Sequence, residues 1–258
     1  METLIEMLIL AIVQGLTEWL PVSSSGHLVI TQKILGLELP LIHSVMLHVG
    51  TLIVILIVFR KDITDIIKAL AKRDFQTSEA KLALYITIGS IPIALVGILL
   101  RDPIETLFSN LTAVGAALII TGCILAVSEK RKGNRQLNTL DSILIGAAQA
   151  VAIIPGISRS GTTISTGLVR KVDKQTAFRY SFLLSIPAIL GATIVESKDL
   201  ITGNIDLLPL FLGTITAMII GYASLKLLQK IVMKEKFHLF AIYCLAVGTI
   251  ILAYIFLQ

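Results

Sequence analysis

Apolar residues run along this chain in long blocks. Six of them, at roughly 44–59, 82–100, 111–127, 178–195, 207–228 and 239–257, are long enough, or nearly so, to cross a bilayer core that takes about 20 helical residues. Two more, at roughly 4–35 and 140–169, are each interrupted in the middle by Pro, Gly and a run of hydroxyl side chains. Neither is expected to cross as one clean helix. Irregular backbone at membrane depth must be covered by protein or trapped water, because its N–H and C=O groups find no partner in hydrocarbon. Each interrupted block is therefore predicted to be a re-entrant hairpin that enters and leaves by one face. The pattern predicts an all-α integral membrane protein.

The two interrupted blocks match each other at a fixed offset. Gln14 aligns with Gln149, Ser23 with Ser158, Ser25 with Ser160 and Gly26 with Gly161, while Leu20-Pro21 faces Pro155-Gly156. Each is followed by three spans, so residues 1–258 divide into repeats of about 1–127 and 140–257 within one membrane domain. Three spans is an odd number. The second repeat then starts on the opposite face, giving two inverted-topology repeats, each a re-entrant helix hairpin followed by three transmembrane helices.

Composition agrees: 55% of residues are hydrophobic and 15% charged, with a mean hydropathy of +0.89, outside the range of soluble domains. The start, Met1-Glu2-Thr3-Leu4 with Glu6 close behind, lacks the basic opening and small-residue cleavage pattern of a secretory leader, so the first block is expected to stay. A formal charge of +5 raises the question of nucleic acid, but the placement of the 22 Lys and Arg points to membrane topology, and no nucleic-acid partner is expected. If 140–169 does not cross, the loops around 60–81, 128–139, 170–179 and 226–236 share one side and hold all the Lys and Arg but Lys33, Arg101, Arg159 and Lys198. That side is predicted to be cytoplasmic, with both termini outside. The segment 61–75 carries an apolar stripe of Ile63, Ile66, Ile67 and Leu70 opposite its charges and reads as a surface helix on the same leaflet. Cys123 and Cys244 lie inside apolar blocks and read as small buried hydrophobes.

The unusual chemistry sits at the two interruptions. In "QGLTEWLPVSSSGH", Gln14 and Glu18 stand four apart and share a helix face. A carboxylate at that depth costs roughly 2.5 to 3.5 kcal/mol and needs a partner, a cation or water. Pro21 ends the helix, and Ser23, Ser24, Ser25 and the backbone near Gly26 form a donor-rich turn suited to anionic oxygens. His27 is able to give or take a proton near neutral pH. The second interruption reads "PGISRSGTT", where Gly156 opens a turn and Arg159 offers a planar fork to phosphate or carboxylate among the hydroxyls of Ser158, Ser160, Thr162 and Thr163. A structural Glu18–Arg159 ion pair would leave the hydroxyls and the histidine unexplained. An anionic headgroup, with a divalent cation between it and Glu18, explains them together. His43 and His48, at the start of a span, read as satisfied polar side chains. Trp19 either packs beside a lipid chain or anchors the hairpin.

These two stretches resemble the signature motifs of the undecaprenyl-diphosphate phosphatases, the bacitracin-resistance family, and "YSFLLSIP" at 180–187 is similar to the segment that follows that family's second motif. The resemblance implies that Glu18 is the essential acid, with Gln14 a permitted variant of a second one. It implies that Ser24 and His27 take part in the chemistry, and that Arg159, with Ser158 and Thr163, holds the diphosphate. It also implies removal of the terminal phosphate of a C55 polyprenyl diphosphate, with a divalent cation (magnesium or calcium), at a site opening to the outer face of the plasma membrane. Gln14 in place of Glu leaves Glu18 as the only near acidic ligand for such a cation.

Two nucleophiles stay open: the Ser24 hydroxyl with His27 as general base, or water activated by His27 and Glu18. So does a transporter or flippase of lipid-linked phosphate built on the same inverted repeat. The phosphatidate-phosphatase type of enzyme shares Ser-Gly-His and Ser-Arg, but the histidine it needs would fall at Ser165. Oligomeric state, a homodimer included, is not legible.

Overall fold

The computed structural model describes residues 2–37, 41–129, 133–197, 207–234 and 236–257. Met1, Lys198 and three basic residues of the 128–139 loop, Lys130, Arg131 and Lys132, lie outside them. The described residues are helical almost throughout: α1 Glu2–Thr17, α2 Ser24–Leu35, α3 Leu41–Val58, α4 Arg60–Ala71, α5 Ser78–Leu99, α6 Arg101–Leu107, α7 Leu111–Glu129, α8 Thr139–Val151, α9 Arg159–Val169, α10 Lys174–Ser197, α11 Leu207–Met233 and α12 His238–Phe256.

Both interrupted blocks are helix pairs, α1 with α2 and α8 with α9. In the second pair the two ends meet: Arg170, just past α9, donates from Nε to Asp141 in the first turn of α8 at 3.0 Å. Arg135, before α8, reaches the same carboxylate oxygen at 2.8 Å. The two ends of this segment therefore lie together on one side of the helix pair. In the first pair, Leu28 of α2 joins Met7 and Leu10 of α1 in one cluster, with Leu37 packed against it.

Five helices, α5, α7, α10, α11 and α12, are long and apolar enough to span a membrane. The expected sixth span, α3, passes that test only together with α4, from which it bends by 72°. The bend at Phe59 separates an apolar helix from the predicted amphipathic one, and Asp62 of α4 forms an ion pair with Arg179 of α10. Through Asp62–Arg179 and Arg135–Asp141–Arg170, three of the four basic loops lie on the same face of the molecule.

Polarity is inverted relative to a soluble protein. The outside carries exposed Ile98, Leu99, Ile219, Ile242 and Phe256, while Gln14, Thr51, Ser158, Ser160, Thr163, Ser181 and Asp141 are buried. Hydrocarbon outside and hydrogen-bonded polar groups inside is what a bilayer solvent selects. Close helix approach comes from small residues, as expected where lipid removes the hydrophobic drive between helices. A Cβ on Gly146 of α8 would lie 2.2 Å from the Gly89 carbonyl oxygen of α5. The first helix of each interrupted pair packs on a helix of the other half: α1 on α11, α8 on α5. Of the two cysteines, Cys244 is buried as expected, whereas Cys123 is exposed on α7, where the apolar surroundings of that block are those of lipid rather than of a core.

Candidate active site

The chemistry is built where the two interruptions touch. Thr17 ends α1, and Glu18 continues its last turn through an N–H bond to the Gln14 carbonyl at 2.9 Å. Ser23 takes a positive φ of 69° to reverse the chain and caps α2, its hydroxyl accepting from Gly26 N–H at 3.3 Å. Non-glycine residues adopt such a backbone only where their surroundings impose it. Ser158 caps α9 in the same way, accepting from Gly161 N–H at 3.1 Å. The two caps are joined across the halves, for the Ser23 hydroxyl also accepts from Gly156 N–H at 3.0 Å. Gly156 has φ of 98°, and a Cβ there would stand 2.6 Å from the Val114 carbonyl oxygen. Two helix N-termini, each with unspent N–H groups and the positive end of a dipole, are thus brought side by side.

Glu18 lies at the centre, its side chain 7% exposed. Its Oε1 accepts from Arg159 Nη2 at 2.9 Å. Its Oε2 accepts from the Ser24 hydroxyl at 2.5 Å and from Gln14 Nε2 at 3.1 Å. The Arg159 guanidinium carbon stands 5.2 Å from the Trp19 ring centroid and 5.8 Å from that of Phe182. Its other terminal nitrogen, Nη1, is buried without a hydrogen-bond partner. An unpaired buried N–H on a charged group costs at least about 1–3 kcal/mol, so in an arginine that lines the cavity it points to an acceptor oxygen brought by a ligand. The cavity holds about 220 Å³. Its lining combines polar side chains, Glu18, Arg159, Ser24, Ser158 and Thr193 among them, with apolar ones such as Ile93, Ile153 and Ile189. The polar groups suit an anion and the apolar ones a hydrocarbon tail.

The expected site residues fall into three groups. Glu18, Ser24 and Arg159 are in direct contact, with Ser23, Ser25 and Ser158 around the same cavity and Gln14 buried behind Glu18. Gly156, Ser160 and Thr163 stand behind it: the Ser160 and Ser158 hydroxyls are 3.4 Å apart, and Thr163 donates to the Arg159 carbonyl at 2.7 Å and meets the Ser181 hydroxyl at 2.6 Å. His27 stands apart and does not line the cavity. Its Nδ1 is 2.8 Å from the Ser23 carbonyl oxygen, its Nε2 is 2.7 Å from the Tyr243 hydroxyl, and its ring stacks on Tyr243 at 5.6 Å.

The imidazole that does line the cavity is His48, read above as a satisfied side chain. Its Nδ1 bonds the Ser44 carbonyl at 2.9 Å and its Nε2 stands 4.0 Å from Glu18 Oε2. Thr121, outside both motifs, braces the second turn: its hydroxyl donates to the Gly156 carbonyl at 2.9 Å and accepts from Ser158 N–H at 3.1 Å. The sequence signal for both was a polar residue inside an apolar block, without its rotational setting. Trp19 is buried beside Phe182 and anchors the hairpin.

The cation implied by the resemblance finds no ready cage. Among the described residues no three His, Cys, Asp or Glu side chains come together to hold a metal. The single carboxylate, Glu18, already accepts from three donors. These residues do not fit a resident metal.

Residues 7–250 match the family model described as "Bacitracin resistance protein BacA". The chain belongs to that family. Its relatives include proteins named undecaprenyl-diphosphatase from Desulfosudis oleivorans, 43% identical with 96% of this chain and 97% of the relative covered, and from Carboxydothermus hydrogenoformans, 44% identical with 96% and 95% covered. A relative of the same name, from Methanosphaera stadtmanae, is 38% identical with 97% of each chain covered. The matched residues run from within α1 to within α12, so the site, from Gln14 to Thr163, lies wholly inside them.

Proposed function

We propose that this BacA-family chain hydrolyses polyprenyl diphosphate, undecaprenyl diphosphate in particular, to the monophosphate and inorganic phosphate, returning the lipid carrier to cell-wall glycan synthesis. The observation that carries this reading is the Glu18 carboxylate held between the Ser24 hydroxyl and Arg159, whose Nη1 is unpaired, in a cavity that apolar side chains also line.

The 2.5 Å contact between Ser24 and Glu18 favours the serine as nucleophile and Glu18 as its proton acceptor. Ser24 Oγ forms a bond to the terminal phosphorus as the bond from that phosphorus to the bridging oxygen breaks. The hydroxyl proton passes to Glu18 and from it to the departing prenyl monophosphate, which leaves Glu18 ionised again. Water then attacks the phosphoserine, its hydroxide going to phosphorus and its proton to Ser24 Oγ. Arg159 and the N–H groups opening α2 and α9 hold the charge that moves on to the transferred oxygens.

The packing of α1 on α11 and of α8 on α5, with matching Ser23 and Ser158 caps, supports two inverted repeats at about 1–127 and 140–257 in one membrane domain. We place the basic loops in the cytoplasm, and both termini and the site toward the outer face of the plasma membrane. One chain supplies Glu18, Ser24 and Arg159, so a homodimer is not needed for turnover. The same repeats favour a second reading, translocation of a lipid-phosphate headgroup. Phosphate release from farnesyl and longer prenyl diphosphates by the purified chain decides: the intact protein turns over, and Glu18→Ala and Arg159→Ala lose activity while remaining folded. Headgroup transfer in liposomes with no phosphate release would replace hydrolysis by transport.

A further inference from the structure

We propose that a divalent cation reaches this site only as the chelate of an incoming diphosphate and has no resident place on the unliganded protein. The proposal rests on the hydrolase reading above and specifies what that site takes up.

Glu18 is already fully engaged. Its Oε1 is held by Arg159 Nη2, and its Oε2 by the Ser24 hydroxyl and the Gln14 amide nitrogen. A cation arriving alone would have to displace a guanidinium from the one carboxylate and would gain hydroxyl oxygens in return, a poor exchange for a hard dication. Position 14 removes the alternative. A carboxylate there would share the site with Glu18 and make a cation welcome; Gln14 instead turns an N–H donor onto Oε2, which neutralises the need for one. Two buried atoms beside Glu18 and Arg159 lack a partner: the acceptor Gln14 Oε1, a single neutral oxygen where a hard dication takes six or more, and the donor Arg159 Nη1. Donors select anions. The unliganded pocket is therefore built for phosphate oxygens, and a diphosphate that already chelates a cation brings both halves of the missing charge: oxygens for Arg159 and a cation that offsets Glu18. Cation and diphosphate are then expected to bind with positive coupling.

The test uses the full chain in detergent, with Mn²⁺ as probe followed by electron paramagnetic resonance, and farnesyl methylenediphosphonate as a non-hydrolysable diphosphate followed by calorimetry. Wild type is expected to leave the free-Mn²⁺ signal intact at about 0.1 mM cation. Mn²⁺ is expected to raise its affinity for the diphosphonate at least about tenfold. Gln14→Glu is expected to bind Mn²⁺ without diphosphonate, at least about tenfold more tightly than wild type. One Mn²⁺ per wild-type chain bound at about 10 µM without diphosphonate would overturn the proposal, as would a folded Gln14→Glu with no gain. If Gln14→Glu does not fold, the wild-type arms decide alone. A resident Mn²⁺ together with phosphate release sinks only this proposal; loss of phosphate release under every cation sinks the hydrolase reading.

Discussion

Ser24 and His27 are three residues apart in one motif, yet they meet different surroundings. The hydroxyl touches Glu18 at 2.5 Å, whereas the imidazole is held by the Ser23 carbonyl and by Tyr243 of α12. This separates two mechanisms. A true general base contributes roughly 10²–10⁴-fold to a rate. His27→Gln is expected to cost less than about tenfold in kcat, through a loosened Ser23 turn, while Ser24→Ala falls by at least about a hundredfold; steady-state phosphate release with a prenyl diphosphate measures both. Equal, large losses would return His27 to the chemistry. The sequence made the acid, the guanidinium and the hydroxyl turns legible because each is costly in an apolar block. It could not show where His27 points, since Tyr243 lies 216 residues away. Nor could it separate His48, which lines the cavity, from any histidine on the outer face of α3.

At the scale of elements, interrupted blocks announce themselves through Pro, Gly and clustered hydroxyls, which leave backbone groups that only protein can satisfy. The bend between α3 and α4 was half legible: the amphipathic stripe marked the surface helix, but the 72° angle depends on packing against α5 and α10. Close contacts are legible only in space. Gly146 and Gly191 look alike in the sequence, yet a Cβ on the first would strike the Gly89 carbonyl at 2.2 Å, while a Cβ on the second meets nothing within 4 Å. Backbone atoms of two packed helices cannot swing aside as a flexible side chain can. Gly146→Ala is therefore expected to destabilise by about 1–3 kcal/mol, seen as a lower unfolding midpoint in detergent, with Gly191→Ala within about 0.5 kcal/mol of wild type.

At the scale of the whole molecule, the meeting of Arg135, Asp141 and Arg170, and of Asp62 with Arg179, puts three basic loops on one face. With that face cytoplasmic, single cysteines at Lys68, Arg135 and Lys171, placed in a Cys123→Ser background, are expected to react with a membrane-impermeant maleimide only after cells are permeabilised. Labelling of any of them in intact cells would reverse the orientation. The same arrangement places the headgroup cavity between the halves, where α2 and α9 present their N-termini to one another across the Ser23–Gly156 bond. A lipid held by its tail in the bilayer then needs only its diphosphate to enter.

In the proposed mechanism Arg159 holds the diphosphate while Glu18 competes for that same guanidinium. The most direct measurement is calorimetric binding of farnesyl methylenediphosphonate, in the presence of chelator, to wild type, Arg159→Ala and Glu18→Gln. Arg159→Ala is predicted to bind at least about tenfold more weakly, and Glu18→Gln at least as tightly as wild type despite losing turnover, because the guanidinium is released to the phosphate. Unchanged affinity in Arg159→Ala, or a collapse of affinity in a folded Glu18→Gln, would contradict it.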